Sequence, residues 1–163
     1  MSKELDLEQK LWKALKSDMT LMLALSGVEE GHSHPMTAQL DPDRPDGPIW
    51  FFTSRETDIV RAMGERHRAV AHFASKDHEL FASLHGNLVL DNDPTTIDRL
   101  WNRYVAAWFK GGKQDPLLQL LRFEAEQGQV WLNDSSLLAG VKLVLGMDPK
   151  KAYNAKVADV NLR

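Results

Sequence analysis

Strand-like segments follow one another along this chain with no helix between most of them, and that order constrains the fold more than any other feature. Residues 20–25 form a short apolar run, Thr20-Leu21-Met22-Leu23-Ala24-Leu25. Residues 32–40 can pair back on it across a turn at 27–31, which carries Gly27, Gly31 and two Glu. Ile49-Trp50-Phe51-Phe52-Thr53 is short and aromatic, as strands are. Residues 69–75 and 80–90 flank the turn Lys76-Asp77-His78-Glu79. Residues 117–126 and 129–132 read as a last hairpin about Gln127-Gly128, although 117–122 also fits a helix. Hairpin spacing of this kind predicts antiparallel pairing, and about six such strands can close into a barrel.

Helical periodicity is confined to a few stretches. Over residues 5–17, Leu7, Leu11, Trp12 and Leu15 recur on one helix face. Ile59, Val60 and Met63 resume that spacing, with Gly64 as C-terminal cap and Thr53 with Glu56 as a capping box. Asp93-Pro94 joins a good N-cap to a proline suited to the first helical position. From there Ile97, Leu100, Trp101, Tyr104, Val105 and Trp108 predict one continuous helix ended by Gly111-Gly112. Residues 137–145 predict another, closed by Gly146, and the weakly patterned tail at 150–163 either wraps a partner or frays. Residues 41–48 hold three Pro, three Asp and a Gly, and predict the clearest loop. Gly86, inside the 80–90 strand, predicts a bulge or a close backbone approach.

The chain of 163 residues reads as a single domain, with a core over about 5–145 and a tail at 146–163. A chain this long buries roughly 70% of its unfolded surface and needs no covalent staple. There is no Cys, which excludes disulfides, thiolate metal sites and thiol nucleophiles and fits a reducing cytoplasm, the expected address. The net charge of −3 leaves no electrostatic footprint for nucleic acid or an anionic membrane. The longest apolar run, 21–25, is far too short to span a bilayer, and the charged N-terminus lacks a signal-peptide stretch.

Most familiar chemistry is excluded by what is missing. No G-x-G occurs, and Lys110-Gly111-Gly112-Lys113 lacks the spacing of a phosphate loop. No G-x-S-x-G elbow is present. His32 and His34 share one strand face and would hold a metal only with a third ligand from His72, His78, His85 or an acid. Without an H-x-x-x-H or H-E-x-x-H spacing they read as polar hairpin positions, and no metal is expected. Trp50, Phe51 and Phe52 line both faces of their strand, as core or as the wall for a flat ring. Trp101 and Trp108, seven apart on the predicted helix, are either core or subunit interface.

Four ordered segments carry a resemblance. His34-Pro35-Met36-Thr37-Ala38-Gln39 resembles the Arg-Pro-Met-Thr-Ala-Gln strand of the general stress protein 26 family, among the pyridoxamine 5′-phosphate oxidase-related, FMN-binding split barrels. Ile49-Trp50-Phe51-Phe52-Thr53-Ser54 matches in turn, then Gly86 with Asp91 and Leu100-Trp101-Asn102, then Trp108-Phe109-Lys110-Gly111-Gly112 with Asp115-Pro116. Val130-Trp131 also fits, and the resemblance spans roughly 5–145.

The resemblance implies a mainly β (α+β) fold: a six-stranded antiparallel split β-barrel of Greek-key type with flanking helices. It implies a homodimer with FMN, or FAD, in a groove at the interface. Met36, Thr37 and Ala38 would follow the isoalloxazine edge through backbone groups. Phe51, Phe52 and Thr53 would line the neighbouring strand. Thr57 would offer its hydroxyl to the phosphate, with Asp58 beside it opposing that charge. Trp108 and Trp131 would approach from the interface side. Two phosphate-binding cations of the family pattern are replaced, Arg by His34 and Lys by Ile59, with Arg55 or Arg61 as candidate substitutes. On that reading Ile59→Lys would tighten FMN, unless Ile59 packs in the core. The substrate-phosphate motif of the oxidase proper, Arg-Leu-x-x-Arg after the closing Trp, is missing, so that activity is not expected. Flavin-dependent oxidoreduction, with reduced pyridine nucleotide as a candidate donor, is the leading expectation. A non-catalytic flavin store or sensor, or a barrel holding haem or a deazaflavin, are the alternatives.

Overall fold

The computed structural model of the chain describes residues 2–28, 31–133 and 156–163. Helix α1, Lys3–Asp18, is capped by the Ser2 side chain, which accepts from the Leu5 amide. It buries Leu7, Leu11 and Leu15, the face its spacing predicts, and ends at Met19 with φ 62°. The chain then turns directly into β1, Thr20–Leu25.

The expected strand at 32–40 is two strands, β2 (His34–Thr37) and β3 (Gln39–Asp41). Ala38 separates them; it is buried, and its amide donates to the Met19 carbonyl. The loop expected at 41–48 shrinks to a tight turn, because β4 runs Arg44–Ser54. Asp41 makes the turn by accepting from the Asp43 amide at 3.0 Å. Pro45 and Pro48 are tolerated in β4 because its pairing with β7 (Leu118–Leu132) begins only at Ile49.

Helix α2, Asp58–Met63, follows, with β5 (Arg66–Ala74) and β6 (Leu80–Leu90) after it. Thr57, not Thr53, precedes the helix, and Gly64 closes it at φ 65°. Gly86 marks a bulge in β6, where an added Cβ would lie 2.0 Å from the Glu124 carbonyl oxygen.

The long helix expected from Ile97 to Trp108 is broken into α3 (Pro94–Leu100) and α4 (Arg103–Ala106). Trp101 takes an extended ψ of 133°, and Asn102 caps the new helix by accepting from the Tyr104 and Val105 amides. Trp101 and Trp108 therefore do not share a helix face. The hairpin expected at Gln127-Gly128 is also absent: β7 is one strand of fifteen residues. Gly128 serves close packing, since a Cβ there would lie 2.5 Å from the Ser83 carbonyl oxygen. The end of the tail is a strand, β8 (Val157–Asn161), paired with β7. The helix expected at 137–145 lies outside the described residues.

All strand pairs are antiparallel, in the order β2-β1-β5-β6-β7-β4-β3. On one edge of β7, β4 takes residues 118–123 and β8 takes 127–131. β2 and β3 stand at opposite ends of that order, yet only Ala38 divides them. The sheet must curl until its ends meet. Counted as one bent strand, β2 and β3 make the six of a barrel, and β8 is the addition to the expected count. Phe51, Phe73, Leu84, Leu88, Leu121 and Phe123 fill the interior beneath the leucines of α1.

The two outer faces of this barrel differ. Over β4 and the first half of β7, α3 and α4 close a second core of Trp50, Ile97, Leu100, Val105, Phe109, Leu118 and Leu120. Over β1, β5, β6 and β8, no helix among the described residues covers the outer face. One cross-strand row there runs Pro35, Met22, His72, Ser83, Gln129, Asp159. A second runs Ala74, Phe81, Trp131, Val157. Among the described residues no helix is long and apolar enough to cross a membrane.

Candidate functional site

A groove of about 450 Å³ opens where β2, the end of β4 and α4 converge. That volume falls within the roughly 300–1,000 Å³ of small-molecule sites. Its floor and walls are apolar: Met36 from β2, Phe52 from β4, Val105 from α4, then Trp108 and Phe109. Neutral polar groups converge on it from Thr37, Gln39, Thr53, Ser54 and Thr57. Tyr104 and Trp108 stand at the mouth, 68% and 85% exposed, far more than aromatic side chains ordinarily are.

Local rules build this geometry. Trp101 leaves the helix and packs edge-on against Phe52, centroids 6.0 Å apart, with Phe109 on its other side at 6.4 Å. Asn102 then restarts the chain as α4, which brings Tyr104 over the end of β4. The loop after Trp108 is held by Asp115, which accepts from the Leu117 and Gly111 amides at 2.9 Å each. Those two amides keep its carboxyl below the usual range. On the far side, Asp41 accepts from Arg99 of α3 at 2.6 Å, a bond that pins the helix to the barrel and lowers the Asp41 pKa. As a terminal strand, β2 pairs on one edge only, so its other edge offers backbone N–H and C=O groups.

His34, Met36, Thr37, Phe52, Thr53, Thr57 and Trp108 of the expected site residues are brought together in this groove. Five others lie elsewhere in the chain. Ala38 is buried at the corner of the sheet, with its amide already used. Phe51 points into the barrel, wholly buried, because it alternates with Trp50 and Phe52 along β4. Ile59 is 3% exposed and packs in the main core, so it cannot present a replacement ammonium to a ligand. Asp58 and Ile59 line a separate small hollow with His32, reached from the other side of His34. Trp131 stands on the bare outer face, beside Ser83, His85 and Gln129.

The sequence reading missed Pro35, Gln39, Ser54, Tyr104, Val105 and Phe109 as groove residues. Tyr104 and Val105 were assigned to an unbroken helix; Asn102, a favoured N-cap, was the signal against it. Pro35, Gln39 and Ser54 adjoin residues that were named.

An apolar slot with aromatic walls, unpaired strand amides and neutral hydroxyls fits a flat heteroaromatic ring with a polar edge. Among the described residues no Lys or Arg lines it.

Comparison with known proteins agrees with the fold. A general stress family protein of Xanthomonas campestris pv. campestris is 56% identical, with TM-score 0.78 over 86% of this chain and 96% of that one. The general stress FMN/FAD binding protein of Xanthomonas citri is 57% identical, with TM-score 0.76 over 83% and 95%. A general stress protein 26 from Jannaschia sp. CCS1 is 27% identical, with TM-score 0.79 over 97% and 99%. No curated protein matches. The family model described as pyridoxamine 5′-phosphate oxidase like matches residues 6–154, nearly the whole barrel, and the chain belongs to that family.

Proposed function

We propose that this protein binds a flavin, FMN or FAD, in the groove between β2, β4 and α4, as a general stress protein of its family. The observation that carries the reading is the gathering of seven expected flavin-site residues, from three separate segments, around one ring-sized slot. The Xanthomonas citri relative, 57% identical, is named an FMN/FAD binding protein.

Met36 and Phe52 would support the ring from within, and Trp108 would close over it. Thr37 and Thr53 would meet its polar edge together with the unpaired backbone of β2. When bound, a flavin supplies electron or hydride transfer, with the protein contributing position and electrostatics. We propose oxidoreduction on an unidentified substrate, with reduced pyridine nucleotide as the donor to test.

The functional unit we propose is a cytoplasmic homodimer. Met22 and Phe81, 40% and 37% exposed, lie on the bare face together with Val70 and Trp131. That face reaches the groove at Pro35, which belongs to both. A second copy seated there would bring its Trp131 toward the groove, the position the family pattern gives it.

Titration of the apo-protein with FMN tests the reading. Trp108 emission and flavin emission are expected to fall together. Unchanged signals up to about 100 µM, where binding worth roughly 5–6 kcal/mol would register, overturn it. Turnover of reduced pyridine nucleotide by the loaded protein separates an enzyme from a flavin store.

A further inference from the structure

We propose that assembly through the bare face is gated by acid: His72 and His85 stand at the centre of that face, and their protonation drives two copies apart. This rests on the homodimer reading above and goes beyond it, to what controls the assembly.

Burial alternates along β5 and β6, so Val70 and His72 point outward from one strand and Phe81, Ser83 and His85 from the next. His72 stands opposite Met22 of β1 and Ser83 of β6, and His85 stands opposite Val70 of β5 and Gln127 of β7. The two imidazoles are therefore diagonal neighbours across β5 and β6. Both residues are exposed. The Ser83 hydroxyl lies 3.5 Å from His85 Nε2.

Around them the face holds little fixed charge. Met22, Val70, Phe81, Gln129 and Trp131 are the uncharged neighbours that β1, β5, β6 and β7 supply. Charge begins at the margins. Arg66 and Arg68 lie at the start of β5, and Arg68 donates to Glu126, which also accepts from Asn87 and Arg163. Asp159 of β8 accepts from Gln129 at 2.9 Å. At the other margin His78 stacks on Phe81, centroids 6.3 Å apart, in the turn that holds Asp77 and Glu79; Asp77 accepts from Ser75. Among the described residues, no carboxylate on this face is left to meet a charged His72 or His85. A centre poor in charge and rich in Met and aromatic side chains is the composition of an interface core.

Histidine is the side chain that gains its charge between about pH 8 and pH 5. Neutral imidazoles can be buried beneath a second copy at small cost. Charged ones are buried there without a counter-charge, which opposes assembly. Two-fold symmetry applies that cost to both copies at once. Protons thus bind the separated copies more readily than the dimer, so the dimer is strongest at high pH and loosens as pH falls through this range.

Sedimentation velocity tests this on two full-length proteins in saturating FMN, the parent and the double variant His72→Gln, His85→Gln. From pH 8 to pH 5.5 the dimer dissociation constant is expected to rise at least about tenfold more for the parent than for the variant. The FMN phosphate titrates alike in both and cancels in that comparison. The barrel is expected to keep its circular dichroism throughout, since the bond from Arg99 to Asp41 is lost only below about pH 4. Should the double variant already be monomeric at pH 8, the same comparison is made with each single variant, and at least one must show a smaller rise than the parent. A parent dimer that is equally tight or tighter at pH 5.5 overturns the proposal and leaves the homodimer standing. So does a rise of the same size in the variants, or dissociation that appears only with loss of the barrel's circular dichroism. A parent protein that is monomeric at pH 8 overturns the homodimer reading and this inference together.

Discussion

The barrel has two outer faces, and they solve the same problem differently. Beneath α3 and α4, Trp50 and Leu120 lie in a closed secondary core. Across β1, β5 and β6, Met22 and Phe81 are exposed, with no element among the described residues over them. Both faces alternate inward and outward in the ordinary way of strands. What differs is that Asp93, Pro94 and Asn102 direct two short helices onto one face, while the turn at Lys76-Asp77-His78-Glu79 is too short to send anything over the other. The covered face is finished within one chain. The bare face keeps apolar surface that a second copy can bury.

The largest expected effect comes from a reference position in the main core. Ile59→Lys places an unpaired ammonium where 3% of the residue is exposed. It is expected to cost at least about 3 kcal/mol in denaturant unfolding, with no tightening of FMN. A stable variant with tighter FMN would return Ile59 to the groove.

Leu120→Ala on the covered face comes next. Leu120 is wholly buried, and the expected loss is about 3 kcal/mol at any protein concentration. A loss that grew on dilution would mean that this face, too, depends on assembly.

Phe81→Ala on the bare face sharpens the contrast. The expected loss for the isolated chain is under about 1 kcal/mol. Light scattering at micromolar concentration should instead show Phe81→Asp as a monomer and the parent protein as a dimer. A parent protein that is monomeric with flavin present removes the assembly reading.

The smallest effect is a pH dependence at the seam between α3 and the barrel. Arg99 donates to Asp41 and lowers its folded-state pKa below the ordinary carboxylate value. A depressed pKa gives stability that is present above the unfolded value and lost as pH falls through the folded one. Wild-type stability should therefore decline below about pH 4, and Asp41→Asn should flatten that decline. Equal slopes for the two proteins would remove Asp41 from the seam.

Much of this was legible in the residues. Residues 20–25, the 80–90 strand, Gly86 as a bulge and Asp93-Pro94 as a helix start are all found where local rules predict them. Those features depend on burial alternation, glycine sterics and capping, which act over a few residues. Seven of the groove's lining residues were reachable because they sit in two strands and two turns whose motifs are contiguous.

The misreadings share a cause. Gly128 looks like a turn, and only the approach of Ser83 from β6 makes it a strand residue. Pro45 and Pro48 look like loop, and only the absence of a β7 partner before Ile49 lets them continue β4. Ile59 looks available to a phosphate, and only the main core takes it away. Trp108 looks like part of a buried helix face, and the break at Trp101 leaves it 85% exposed at the mouth of the groove. By itself, then, the sequence determined that the strands pair antiparallel, that Gly86 sits at a bulge and that a helix starts at Asp93-Pro94, because those follow from residues near in the chain. Tertiary structure decided which face of each segment is buried and what lines the groove. Those depend on partners far away in sequence, such as β6 against Gly128 or Arg99 against Asp41, and no local pattern encodes them.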